Sequence, residues 1–133
     1  MALEKKRLDF AKALARLEDA HAKSLASRGE EDFSYYRDST IQRFEFTLEI
    51  AWKTVKAYLL EVDGVECRSP KSCIREFLAA AHFDAAQTQT FLEMIDDRNL
   101  ATHTYHEALA DEIFASVGTY LKVFHALRDM LDC

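Results

Sequence analysis

The chain has one proline and three glycines among 133 residues. Few positions therefore oblige it to turn, and long helices are the natural consequence. It lacks any apolar run near the ~18 residues of a membrane span. Its first residues, Met1-Ala2-Leu3-Glu4-Lys5-Lys6, lack the apolar core of a secretory signal. A cytoplasmic protein with no membrane partner is expected. Positive charge is also scarce: the formal net charge is −6, which argues against broad nucleic-acid binding. A local phosphate site stays open, and the charge would suit a partner with a basic face. The three cysteines, Cys67, Cys73 and Cys133, form neither an even set nor a zinc spacing, so they read as reduced thiols. Internal repeats and low-complexity tracts are absent.

What is present is an ordinary globular balance, 49% apolar and 30% charged, which argues against disorder. Residues 1–133 suffice for one domain burying about two thirds of its unfolded surface. Hydrophobic periodicity predicts five helices and no strand. The first covers Leu3 to Ala26, with Leu3, Phe10, Leu14, Leu17 and Leu25 near one stripe. Ser39 and Gln42 form a capping box opening a second helix from Thr40 to Val62, which Asp63-Gly64 ends. Ser69-Pro70 starts a short helix to Ala81. Asp84 and Gln87 open the fourth, reaching Leu100, and the fifth runs from Tyr105 to Leu131. The second helix is apolar on two sides. Ile41, Phe44, Leu48, Trp52, Val55, Leu59 and Val62 make a wide face; Phe46, Ile50 and Ala57 make a narrow one, with Leu60 at its edge. Such a helix is central in a bundle or shared with another chain. The fifth has one clean face, Leu109, Ile113, Val117, Tyr120, Phe124, Leu127 and Leu131. Trp52 reads as a core anchor.

The stretch Arg98-Asn99-Leu100-Ala101-Thr102-His103-Thr104-Tyr105 concentrates the chemistry. It holds a permanent cation, an imidazole and a phenol. Residues five apart on one helix point about 140° apart, so Arg98 and His103 share a site only if the backbone turns between them. Thr104 and Glu107 stand at capping-box spacing, which places a corner near Thr102. At such a corner a guanidinium binds phosphate oxygens and a neutral imidazole takes a proton from an RNA 2′-hydroxyl. That would suffice for metal-independent cleavage, except that one copy offers no evident acid for the leaving oxygen. Two copies across a two-fold axis would supply it.

The structural reading of the same residues pairs Arg98 with Asp96, Asp97 or Glu93. Asn99 then closes the helix end, and His103 caps carbonyls. His103 and His106 with Glu107 or Asp111 match no strong metal signature, so no metal and no cofactor is expected. His21, His82 and His125 read as isolated. Arg68, Lys71 and Arg75 read as a solvated helix edge, and Cys67 and Cys73 lack a nearby candidate base in sequence, so no thiol nucleophile is expected.

Ile41-Gln42-Arg43-Phe44-Glu45-Phe46-Thr47-Leu48-Glu49-Ile50-Ala51-Trp52-Lys53-Thr54-Val55-Lys56, Ser69-Pro70-Lys71 and Asp97 to Tyr105 together resemble the nucleotidyltransferase substrate-binding protein family, within the HEPN group and close to its HepT toxins. The resemblance implies an all-α fold, an up-and-down four-helix bundle with an additional short helix, similar to the helical C-terminal domain of larger nucleotidyltransferases. It implies a homodimer that associates with a minimal nucleotidyltransferase acting as antitoxin. It also implies roles: Arg98 and His103 in RNA cleavage, Asn99 in support, and Tyr105 as acceptor of AMP groups that silence the toxin. The function expected is thus a companion subunit of a two-component nucleotidyltransferase system, the toxin side of a toxin–antitoxin module. The alternatives are a free-standing ribonuclease using Arg98 and His103, for which RNA is the partner, and a non-catalytic helical adaptor.

Overall fold

The computed structural model describes residues 2–132. Four long helices and one short one make an all-α bundle, with no strand among the described residues: α1 (Ala2–Ala26), α2 (Phe33–Tyr58), α3 (Pro70–Ala79), α4 (Ala85–His103) and α5 (Glu107–Leu131). No helix is long and apolar enough to cross a membrane among these residues.

Local signals explain the starts of α3 and α4. Ser69 accepts from the Ser72 amide while the Ser72 hydroxyl takes the Ser69 amide, with Pro70 at the first helical position; Asp84 and Gln87 form the reciprocal pair at α4. Each cap satisfies amides that a helix start leaves without partners. The core is built from the expected faces. Phe10, Leu14 and Leu17 of α1, the α5 face from Leu109 to Leu131, and Ile41, Phe44, Leu48, Val55 and Leu59 are all buried. Leu25, expected on the α1 stripe, is instead exposed.

The α1–α2 seam uses a device that hydrophobic patterning does not reveal. Thr40, Thr47 and Thr54 recur every seven residues on α2, each fully buried. Each hydroxyl donates to the carbonyl four residues back, at 2.9, 2.7 and 2.7 Å. Thr40 also meets Ser24 Oγ at 2.8 Å, while Thr47 and Thr54 reach the α1 carbonyls of Ala13 and Lys6 at 3.3 and 3.4 Å. Small side chains let the helices approach closely, and the back-bonding leaves no hydroxyl unsatisfied.

Three expectations are corrected here. The second helix starts at Phe33 rather than Thr40, and Ser39 and Gln42 are exposed positions inside it. Residues 33–39 stay helical because Phe33 packs edge-on against Phe114 at 5.5 Å and Arg37 is buried in a network with α5. Val62 is exposed because the chain leaves the α-helix at Leu59 for one π-helical turn, Leu59–Asp63, whose wider winding carries later residues off the stripe. Gly64, at φ +68, closes that turn, as the Asp63-Gly64 signal predicts. Finally, Cys67 and Cys73 are joined by a disulfide. The Ser69 cap folds the chain back so that the two Cα atoms lie 5.2 Å apart, a distance that allows the bond. Cys133 lies outside the described residues.

Candidate functional site at the α4–α5 turn

Helix α4 runs unbroken through His103; the chain turns over Thr104, Tyr105 and His106 and re-enters a helix at Glu107. The turn therefore follows His103 instead of preceding it. Thr104 caps nothing at the start of α5. His106 does so, its Nδ1 accepting the Leu109 amide at 3.2 Å, while the Thr104 amide closes α4 on Leu100 O at 2.8 Å. With no bend between them, Arg98 and His103 ride one helix about 140° apart. The convergence expected of these two groups is not provided within one chain.

The partners that do meet this segment come from α2. Arg98 donates to Glu49, which also accepts the Trp52 indole N–H at 3.2 Å and Lys53 Nζ at 2.9 Å. The acids expected to pair with Arg98 are engaged elsewhere: Asp97 with the Tyr120 hydroxyl at 2.5 Å, Asp96 with Lys71 at 2.5 Å, Glu93 with Gln89 at 3.4 Å. Trp52 is thus half-buried, packed against the core as expected while its indole N–H donates to the Glu49 cluster. Asn99 and His103 are exposed positions of α4, and neither side chain makes a hydrogen bond among the described residues, so neither side chain closes the helix end.

Tyr105 is half-exposed, and its hydroxyl donates to Asp38 Oδ1 at 2.9 Å. Arg37 Nε and Nη2 reach the same oxygen at 3.1 and 3.0 Å. Arg37 Nη1 donates to Glu107 at 2.7 Å and Asp111 at 3.0 Å in the first turns of α5. The guanidinium, only 3% exposed, joins α2 to the start of α5 and fixes the turn between. Asp38 and Glu49 are eleven residues apart, close to three turns, so they share a face of α2 about 16 Å apart along its axis. Glu45 falls on the same face. The sequence analysis did not single out this acidic stripe; its signal was carboxylates at i, i+7 and i+11, the only three on α2.

The electrostatics follow from these contacts. Burial pushes the Tyr105 phenol up to about 12, and the Asp38 carboxylate adds to the rise, so the hydroxyl stays protonated. Burial alone would raise Glu49, but hydrogen bonds from Lys53, Arg98 and Trp52 outweigh it and hold the carboxyl at about 2. Glu45 is raised by burial, with the Arg98 charge opposing. The Arg37 guanidinium holds Glu107 below the usual carboxylate range.

A pH experiment checks the Glu49 arrangement. Its folded value of about 2 lies below the ordinary 4.5, so its stabilisation is complete above 4.5 and is lost as pH falls towards 2. The shift bounds this at about 3 kcal/mol. Screening at a side chain 30% exposed reduces it to about 1 to 2 kcal/mol. Thermal unfolding of Glu49→Gln should lie below wild type at pH 6, and the gap should narrow towards pH 3. A gap independent of pH would contradict the assignment.

Away from the turn, a groove of about 360 Å³ lies between α1 and α2, lined by Lys12, Arg16, Arg43, Phe46 and Ile50 among others. It displays the narrow apolar stripe expected on α2, with Phe46 59% exposed. It also gathers cations that the sequence scatters.

A family model described as nucleotidyltransferase substrate binding protein like matches residues 6–132. The crystal structure of a protein from Thermus thermophilus is 37% identical, with 86% of this chain and 98% of that chain covered and a TM-score of 0.72. A tri-AMPylated Shewanella oneidensis HEPN toxin, solved in complex with an MNT antitoxin, aligns over 98% of this chain and 96% of its own, with a TM-score of 0.73 at 14% identity. That identity makes it a likeness of fold. No curated protein sequence matches the chain significantly.

Proposed function

Because this chain belongs to the nucleotidyltransferase substrate binding protein like family, we propose that it is the helical companion subunit of a minimal nucleotidyltransferase. In such a pair the partner holds the metal-dependent transfer site. This chain corresponds to the toxin half of the complex known from Shewanella oneidensis, and Tyr105 is the group the partner modifies with AMP. The observation that carries the reading is the Tyr105 hydroxyl, half-exposed on the α4–α5 turn yet held by hydrogen bond on Asp38. An acceptor must be both reachable and oriented. The exposed Phe46 stripe supports a second copy of the chain in the assembly, since apolar surface of this kind is characteristic of interfaces.

A phosphodiester placed at Tyr105 would add bulk and negative charge to the turn that carries His103 and Arg98. That is a physical route from modification to silencing. Metal-independent RNA cleavage by one chain receives no support, because Arg98 is engaged by Glu49 and no bend brings His103 to it. A nuclease would require groups from two copies.

Expression together with a minimal nucleotidyltransferase, the partner proposed for this chain, tests the proposal. A stable complex is expected, with two copies of this chain by light scattering. On addition of ATP and Mg²⁺ its mass should rise by AMP increments. The absence of both a complex and AMP uptake would exclude the companion role.

A further inference from the structure

We propose that Asp38 orients the Tyr105 hydroxyl for AMP transfer and takes up its proton as the new bond forms. This deepens the reading of Tyr105 as the acceptor and rests on it. The placement is specific. Tyr105 Oη already donates to Asp38 Oδ1 at 2.9 Å, and Arg37 donates to that same oxygen with Nε and Nη2. A carboxylate held by a buried guanidinium cannot swing away. That guanidinium is in turn anchored to Glu107 and Asp111 on α5. The direction of the phenol O–H bond is therefore set by a network spanning two helices. Tyr35 is more exposed, at 77%, but its hydroxyl has no such acceptor among the described residues. Exposure alone does not single out Tyr105; the carboxylate does.

The step balances as follows. An Oη lone pair attacks the α-phosphorus of a nucleoside triphosphate, the bond from that phosphorus to the β-phosphate oxygen breaks, and pyrophosphate leaves. The Oη proton passes along the existing hydrogen bond to Asp38. An aspartate performs this service for hydroxyl nucleophiles in phosphoryl transfer, where positioning dominates catalysis. A phenol held at about 12 has a particular need of it, because almost none is ionised near neutral pH. The product then loses its dock. The ester oxygen has no hydrogen to donate to Asp38, so the hydrogen bond that docks the side chain is lost. The Asp38 and Glu107 carboxylates, which act on the phenol with Arg37 between them, outnumber that cation beside the new phosphodiester. Transfer should release the modified side chain from α2.

The test is the rate of AMP incorporation at the Tyr105 peptide, measured with the copurified transferase and Mg-ATP. Asp38→Asn should lower kcat on the order of 10²-fold, with KM for ATP and Kd for the transferase within about twofold of wild type. Asp38→Glu should recover part of the rate, and it keeps the test open should the asparagine variant fold poorly. A purely structural Asp38 would instead change binding and melting with kcat intact. Asp38→Asn modified at the wild-type rate, or slowed only through weaker association, overturns this proposal and leaves the companion reading standing. Wild type that takes up no AMP at Tyr105 overturns this proposal together with the reading of Tyr105 as the acceptor, and the companion role falls with them only if no complex with the transferase forms.

Discussion

Replacing Tyr105 with phenylalanine is expected to abolish AMP incorporation at this position of the α4–α5 turn, because the substitution removes the hydroxyl that would form the ester. The fold should survive. The lost hydrogen bond to Asp38 is half-exposed and contributes about 0.5 to 1.5 kcal/mol, and Arg37 keeps its links to Glu107 and Asp111. Peptide mapping by mass spectrometry after incubation with ATP and the transferase gives the readout. The four other tyrosines serve as internal controls: Tyr35 and Tyr36 are exposed, Tyr58 is half-buried, and Tyr120 is buried with its hydroxyl on Asp97. Wild-type uptake by Tyr105→Phe would move the acceptor elsewhere, with Tyr35 the first place to look. Such a result would also remove the basis for any role of Asp38.

Phe44→Ala should produce a large loss of stability, about 3 to 5 kcal/mol and a fall in Tm of more than about 10 °C. Phe44 is fully buried, stacks on Tyr120 at 5.4 Å, and lies 6.4 Å from Phe124. Truncation leaves a cavity where α2 meets α5, and rigid helices close it only in part. The damage would reach the candidate site, since Tyr120 is bonded to Asp97, the neighbour of Arg98. Phe46→Ala, two residues along, should stay within about 0.5 kcal/mol, because Phe46 faces the open α1–α2 groove. Equal losses from the two variants in thermal or urea unfolding would mean that the faces of α2 are wrongly assigned.

The contrast between Phe44 and Phe46 was legible in the sequence, as were the caps at Ser69 and Asp84 and the buried face of α5. The start of α2 was not. Ser39 and Gln42 have capping-box spacing, yet the helix runs through them, because Arg37 finds Glu107 and Asp111 seventy and seventy-four residues away. A cap motif states only that a helix can begin there; a distant carboxylate can make continuation better. The buried threonines of α2 look like ordinary polar positions until α1 is placed against them. The same limit applies to the turn after α4. The residues Arg98, His103 and Tyr105 stand out in one dimension, but the acceptors that Arg98 and Tyr105 find, Glu49 and Asp38, lie on α2.

Hydrophobic period, capping and the shortage of glycine and proline determined that this chain is a bundle of helices, and roughly where they end, because those signals act within a few residues. Which carboxylate each cation and phenol meets was decided only by tertiary packing. Side-chain ionic and hydrogen bonds act over a few ångströms, and only the folded bundle brings residues half a chain apart within that range.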